Sequence, residues 1–178
     1  CEVVSPTISG THLIGVNVQD RATNFKLLGG NIKDSTDTGI KLLLLSGSPV
    51  NGDPRITIDG VTIEDIGTAS AGIGMTIDQV GNSKICNNTI IFGINTNRGF
   101  RFSGGFDGLS MVNNSVIGTA TITDAYSVTA ISLFNAVQFD GNKMGLFQVD
   151  TVSGIATIPN GASSASVAIN TLTTPLVK

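Results

Sequence analysis

Carboxylates are the side chains whose spacing in this sequence best suits catalysis. Lys33-Asp34 follows one copy of a repeated motif, and Glu64-Asp65 follows the next copy at the same position. Stacking of the two copies would bring Asp34 near Asp65. Enzymes that cleave polysaccharides commonly use two carboxylic groups. We therefore take Asp34, Asp65 and a further aspartate, Asp78, as candidate catalytic residues. The alternative is an exposed Lys33–Glu64 ladder accompanied by two solvated aspartates.

A second group of residues is of the types that bind sugars. A recurrent strand pattern would align Lys41, Gly74 and Arg101 on its outward side, with Ser132 in the next coil. Lys41 and Arg101 would then flank a groove opened by Gly74 and hold an acidic sugar. The alternative is that these side chains are solvated and only keep the face soluble. The candidate carbohydrate-binding residues are Lys41, Arg98, Arg101, Asp107 and Tyr126.

Composition argues against several classes of function. Charged residues make up 13% of the 178-residue chain, whereas ordinary domains carry roughly 25%. The net charge is −3 and there is no basic run, so binding to nucleic acid is not expected. The longest apolar stretch, Leu42–Leu45, is far shorter than the roughly 20 residues of a membrane span, so we expect no membrane insertion. One His and two Cys supply neither a metal site nor a disulfide framework, and we expect no cofactor.

The elements that would position these side chains are predicted by an internal repeat. A six-residue pattern recurs, with an apolar residue at each end and Gly or Asn between them. Each copy reads as two short strands joined by a sharp bend. Its five copies span residues Leu27–Ile32, Ile58–Ile63, Ile85–Ile90, Met111–Val116 and Phe139–Met144.

A second pattern follows each of the first four copies. It is a small residue leading into strict apolar alternation, which is typical of a strand with one buried face. The copies are Gly39–Leu42, Gly72–Met75, Gly99–Phe102 and Ala130–Leu133.

Together the two patterns predict an all-β, right-handed parallel β-helix, a solenoid of about five coils with a short C-terminal β extension. Each repeat would hold about three strands and could bury its apolar residues only by stacking on its neighbours. Inward residues would form two ladders, one from the first position of each copy and one from the last. We place an incomplete first coil or cap at 1–23, the β-helix at 24–154 and the extension at 155–178. Leu13–Val18 resembles the first pattern and belongs to that incomplete coil.

Asparagine and glycine at the bends carry a more specific expectation. Both residue types tolerate the left-handed backbone that such bends need. We expect Asn87 to stack on Asn113 and Asn88 on Asn114, with amide-to-amide hydrogen bonds along the axis. Cys86, next to this bend, is expected to be a free thiol.

Aromatic residues near strand ends would serve one of two purposes if they are exposed. They would stack on sugar rings or pack against another chain, and the low charge of the sequence favours the second. These residues are Phe92, Phe106, Tyr126 and Phe134.

The bends Asn87–Ile90 and Gly60–Ile63 resemble those of the pectin-lyase-like parallel β-helix superfamily. Within that superfamily, Ile158–Val167 is similar to segments that follow the β-helix in bacteriophage tail spikes and related tail appendage proteins. The resemblance implies a homotrimer on the virion tail that binds host surface polysaccharide and, in some members, cleaves it. The sequence lacks the calcium-binding aspartate cluster of pectate lyases and the Asp-Asp pair of polygalacturonases, so no catalytic residue is carried over.

Three functions therefore stay open. The first is a structural and receptor-binding module of a phage tail spike or appendage. The second is a fragment of a polysaccharide depolymerase, a hydrolase or lyase that uses groove carboxylates. The third is a secreted or surface-bound bacterial β-helix adhesin, with an extracellular location in place of the virion tail.

Overall fold

The computed structural model describes residues 1–19, 22–43, 55–67, 72–118, 124–144 and 147–149. It confirms the predicted fold class, because the chain is an all-β parallel solenoid of about four turns, where about five coils were expected. No helix among these residues is long and apolar enough to cross a membrane. The right-handed sense of the coils stays a prediction, in keeping with the strong preference of parallel crossovers for that hand.

The strands are short at the bends and long on one side of the solenoid. In chain order they are β1 (Glu2–Val4), β2 (Thr7–Ile8), β3 (Ile14–Gln19), β4 (Lys26–Leu28), β5 (Asn31–Lys33), β6 (Thr38–Leu43), β7 (Thr57–Asp59), β8 (Thr62–Glu64), β9 (Gly72–Gly81), β10 (Lys84–Cys86), β11 (Thr89–Phe92), β12 (Thr96–Asp107), β13 (Ser110–Val112), β14 (Ser115–Gly118), β15 (Asp124–Asn135), β16 (Gln138–Asp140), β17 (Asn142–Met144) and β18 (Phe147–Val149).

Three sheets run along the solenoid, and successive coils add one strand to each. The first sheet has the order β1-β4-β7-β10-β13-β16, the second β18-β17-β14-β11-β8-β5-β2 and the third β15-β12-β9-β6-β3. Neighbouring strands are parallel, except that β18 runs antiparallel to β17. Each strand therefore pairs with its equivalent one coil away, as the repeat predicted.

The two predicted apolar ladders are confirmed by the strand register. Leu27, Ile58, Ile85, Met111 and Phe139 are successive partners in the first sheet. Ile32, Ile63, Ile90, Val116 and Met144 are successive partners in the second. The first four residues of each ladder are buried in the core. Their burial against the adjacent coils provides the main stabilisation of the stack.

The bends between the first and second sheets have the predicted left-handed backbone. The residue that follows the first strand in each bend has a positive φ, between 56° and 71°, and in the first bend Gly30 also has a positive φ, of 100°. These residues are Gly29, Gly60, Asn87, Asn113 and Gly141. A residue with a β-branched side chain would be strained there, which explains why the motif uses only Gly and Asn at this position.

A buried asparagine ladder closes these bends. The predicted pairing of Asn88 with Asn114 is confirmed, with 2.9 Å between Asn88 Nδ2 and Asn114 Oδ1. The ladder continues from Asn114 Nδ2 to Asn142 Oδ1 at 2.9 Å, and all three side chains are fully buried. Each amide also bonds to backbone groups, so that Asn114 accepts from the Asn88 N–H and donates to the Ile85 carbonyl. The outer asparagine Asn87 donates instead to Asp59, at 2.8 Å.

The two ends of the chain were predicted to differ from the regular coils. Residues Glu2–Gln19 supply β1, β2 and β3, one strand to each sheet. Leu13–Val18 resembles the first pattern in sequence, but its strand β3 belongs to the third sheet. Val16 and Val18 pair with Ile40 and Leu42 of the third sheet. The proposed extension at 155–178 lies outside the described residues, and the domain boundaries stay predictions.

Replacing Asn114 with Ala tests the ladder. The change leaves the buried N–H groups of Asn88 and the Ile85 carbonyl without their partner. The free energy of unfolding should therefore fall by about 3 kcal/mol. Denaturant unfolding followed by circular dichroism measures the loss. Asn113→Gly is the matched control. It keeps the positive φ at an exposed site and should stay within about 1 kcal/mol of the wild type. Equal losses in the two variants would contradict the role of the ladder.

Candidate functional site

The third sheet carries a polar row on its outward face. Asn17, Lys41, Thr76, Arg101 and Ser127 are successive register partners on β3, β6, β9, β12 and β15. Strand side chains alternate between the two faces of a sheet, and the inward neighbours here are apolar and buried. These are Ile40 and Leu42, Met75 and Ile77, and Phe100 and Phe102. The alternation that buries the core therefore also creates the polar row, at a spacing of about 4.8 Å between strands.

The composition of this row differs from the prediction at two positions. Gly74 and Ser132 were expected beside Lys41 and Arg101, and this alignment is wrong. Thr76 is the partner of both Lys41 and Arg101, and Ser127 is the next partner of Arg101. A shift by two residues preserves apolar alternation, so the pattern alone could not distinguish Gly74 from Thr76. On β15 the pattern was placed five residues too far along the chain, at Ser132 instead of Ser127. The position between Lys41 and Arg101 and the position beyond Arg101 therefore carry hydroxyl side chains, and no glycine lies in this row to form a groove.

Asp78 lies two residues farther along the same face. It pairs with Leu43 on one side and Ser103 on the other. Burial raises the pKa of Asp78, while the Ser103 hydroxyl and the charges of Arg101 and Lys41 act in the opposite direction. The structure therefore brings together three of the predicted site residues, Lys41, Arg101 and Asp78, on one face.

A backbone irregularity lies beside Asp78. The register between β9 and β12 shifts after Ser103, and the register between β12 and β15 shifts on both sides of Gly104. Gly104 has a φ of +80°, and a Cβ at this position would collide with the Asp78 carboxylate. Gln79, opposite, also has a positive φ of 51°. Bulges of this kind redirect side chains at functional sites. Here the bulge allows the backbone of β12 to approach Asp78 closely.

Several polar atoms around this row are buried without a hydrogen-bond partner among the described residues. They are Arg101 Nε, Ser127 Oγ and Gln79 Oε1. Buried polar groups in folded proteins are nearly always paired. Two further unpaired buried atoms, Asn31 Oδ1 and Ser35 Oγ, lie on or just after β5, so this feature is shared with another part of the solenoid. We name the face formed by Lys41, Thr76, Asp78, Arg101 and Ser127 the third-sheet face.

The other two candidate catalytic carboxylates lie elsewhere. Asp34 and Asp65 directly follow β5 and β8 of the second sheet, and both are exposed. The predicted contact of Lys33 with Glu64 is confirmed at 3.7 Å, and Lys33 also lies 3.2 Å from Asp65. The hydrogen bond to Asp65 and the charges of both acids raise the pKa of Lys33. Asp34 and Asp65 therefore lie beside the second sheet, whereas Asp78 lies on the third.

The remaining charged candidates are occupied in other contacts. Arg98 Nε lies 3.5 Å from a carboxylate oxygen of Asp124. Asp107 accepts a hydrogen bond of 2.9 Å from Asn135 at the far end of β12. Neither belongs to the polar row.

The aromatic residues lie inside the solenoid. Tyr126 stacks on Phe100, with 5.2 Å between ring centroids, and meets Phe139 edge-on at the same distance. Its hydroxyl donates to the carbonyls of Asn114 and Lys143 at 3.3 Å, and burial raises the pKa of the phenol. Phe92 and Phe106 are also buried, so none of these three rings is placed to stack on a sugar. The side chain of Phe134 lies outside the described residues.

Cysteine and possible metal ligands are the remaining candidates for chemistry. Cys86 is a free cysteine, as predicted, and burial raises the pKa of its thiol to about 11. In the described part of the chain no group of three or more His, Cys, Asp or Glu residues is arranged to hold a metal ion.

Comparison of the chain with protein-family models, with curated protein sequences and with solved structures found no significant match. The assignment to the β-solenoid class therefore depends on strand pairing alone.

Asp78→Asn tests the electrostatics of the third-sheet face. Because the pKa of Asp78 is raised above its ordinary value of 3.8, the folded state binds more protons than the unfolded state between the two pKa values. Stability then falls as the pH rises through that interval. The variant should be more stable than the wild type at pH 7, by less than about 1 kcal/mol because the carboxylate is partly solvated.

Thermal unfolding between pH 3 and pH 7 measures this difference, which should disappear below the unfolded-state pKa. A variant that is less stable than the wild type at pH 7 would show that the partners of Asp78, and not its burial, dominate.

Proposed function

We propose that this chain is a polysaccharide-binding β-helix module of a bacteriophage tail spike or tail appendage, and that the third-sheet face is its binding surface. The module would be structural and receptor-binding, would assemble as a homotrimer on the virion tail and would contact polysaccharide on the host cell. The resemblance of the bend sequences to those of pectin-lyase-like β-helices, and of Ile158–Val167 to segments of tail spikes, supports this proposal.

The observation that carries the proposal is the in-register row of polar side chains on the third-sheet face. Lys41 and Arg101 supply positive charge and N–H donors, and Asp78 accepts hydrogen bonds, whereas Thr76 is buried and the Ser127 hydroxyl is closed to solvent. A polysaccharide presents hydroxyls in both roles along an extended chain. The residues of this face lie on four neighbouring strands, an arrangement that matches an extended ligand better than a compact one.

The location of the carboxylates favours binding over cleavage. Glycoside hydrolysis generally needs two carboxyl groups on either side of one bond. Asp78 lies on the third-sheet face, whereas Asp34 and Asp65 follow strands of the second sheet. The depolymerase therefore remains the second candidate, and the adhesin differs from the first only in its location and assembly.

Substitution of the row tests the binding surface. Lys41→Ala and Asp78→Ala each remove a charged hydrogen-bonding group, and such contacts are worth about 1.5–3 kcal/mol, or roughly 10- to 100-fold in Kd. Lys84→Ala, at an exposed lysine on the first sheet, is the matched control and should bind as the wild type does. Calorimetry on polysaccharides selected from a panel of bacterial surface glycans measures the affinities.

The same titrations separate the alternatives. Equal affinities in all three variants would contradict the third-sheet face as the binding surface. Release of reducing ends by the wild type, lost in Asp34→Asn and Asp65→Asn, would replace the binding module with the depolymerase.

Assembly is tested by light scattering at several protein concentrations. The proposal predicts a mass three times that of the chain, stable on dilution, because a chain with so few charges is expected to bury surface against partner chains. A monomer at all concentrations would contradict the tail-appendage assignment and favour the secreted adhesin.

A further inference from the structure

The last coil of the described stack leaves inward apolar side chains exposed. Val128 pairs with the buried Phe102 and occupies the same inward position one coil farther on, yet it is 57% exposed. Phe139 is only partly buried, whereas the four residues below it in its ladder are at most 1% exposed. We call the surface formed by Tyr126, Val128, Val137 and Phe139 the open end of the solenoid.

The backbone of this coil also ends two of the three sheets. β16 is the last strand of the first sheet, and β15 is the last strand of the third. β15 is 12 residues long and pairs only with β12 among the described strands. An edge strand presents a row of unpaired N–H and C=O groups that attracts other strands, and proteins commonly cover such edges. Solenoids need caps at their ends for the same reason.

β18 shows where the chain leaves the parallel stack. It runs back along β17, with Val149 opposite Asn142, so it covers the edge of the second sheet. Asn142 is fully buried although it belongs to the last coil. Only Gly141 separates Asn142 from β16. The chain therefore leaves β18 directly beside the uncovered edge of the first sheet.

Residues 150–178 have the composition of a segment that packs against an apolar surface. Their only charged side chains are Asp150 and Lys178, whereas disordered tails are rich in charge and poor in branched apolar residues. Val167 and Ile169 alternate with smaller or polar residues, which is typical of a strand with one buried face. Fully extended, the segment would reach about 95 Å, more than twice the roughly 40 Å length of β15. It is long enough to reach both uncovered edges.

We propose that residues 150–178 cap the open end of their own chain, with Val167 and Ile169 packed towards Tyr126 and Val128. The cap covers the edge of β15 and so prevents end-to-end pairing of one solenoid with another. It thereby ends the stack at the last coil. This inference goes beyond the proposed function and does not depend on glycan binding.

The position of β18 favours the segment of the same chain over a second copy. Val149 already lies at the edge of the stack, so the residues that follow it are held close to the open end at a high effective concentration. A second copy would lose translational and rotational freedom on binding there.

Tyr126 provides a probe of the open end, because the sequence has one Tyr and no Trp. Ile169→Asp puts a charge into the contact between the cap and the open end. Acrylamide should then quench the Tyr126 fluorescence more strongly than in the wild type, and the Tm should fall by about 5 °C. Asn170→Asp is the matched control, because it adds the same charge on the opposite side of the alternation. It should be quenched as the wild type is.

Equal quenching in the wild type and in Ile169→Asp would overturn the cap. Circular dichroism shows whether each variant keeps its fold, because global unfolding would also expose Tyr126.

A second measurement uses the wild type alone and so does not depend on the folding of a variant. Nuclear Overhauser effects are expected from the Tyr126 ring and the Val128 methyl groups to methyl groups within residues 150–178. Their absence would overturn the cap. A sample mixed from two differently labelled preparations identifies the chain that supplies the segment. Effects within one chain support the proposal, and effects only between chains would show that the segment covers a second copy and would contradict it.

Discussion

In-register stacking of one coil on the next is the constraint on which the whole molecule depends. A single coil cannot bury its inward apolar layer, because it has only three strands and no second layer of its own. The buried amides of Asn88, Asn114 and Asn142 satisfy backbone groups at successive bends and bond to one another. The ladder would lose these bonds if a coil slipped by one residue. It therefore opposes slippage between the coils that it joins.

The third-sheet face is a product of this stacking. Lys41, Thr76 and Arg101 are far apart in the sequence and come together only because β6, β9 and β12 pair in parallel. A ligand that spans several strands would therefore contact several coils at once, and its binding should stabilise the stack as a whole. The bulge near Gly104 is the local exception, where the regular ladder gives way to a close approach beside Asp78.

The sequence was sufficient to predict the fold class, the two apolar ladders and the Asn88–Asn114 pair. The bend residues carried that information, because a position that needs a positive φ admits few residue types and so marks the same point in every coil. The long strands of the third sheet have no such marker. Alternation with a period of two looks the same after a shift of two residues, so Gly74 was placed where Thr76 lies. Tyr126 was assigned to the surface for a related reason, since β15 offers several alternating phases and only the pairing with Phe100 shows which one is buried. The sequence alone could not show that Arg101 lies near Asp78, because this depends on the strand register. It also could not show that Arg101 Nε is unpaired, because this depends on atomic positions.

The most direct test of this account is amide chemical-shift mapping on the isotope-labelled protein during titration with the acidic polysaccharide that binds most tightly in the panel. The account predicts that the largest shifts cluster at Lys41, Thr76, Asp78, Arg101 and Ser127, in a band that crosses the strands of the third sheet. Shifts concentrated on the first or second sheet, for example around Asp34 and Asp65, would contradict the account and place the binding surface on another face.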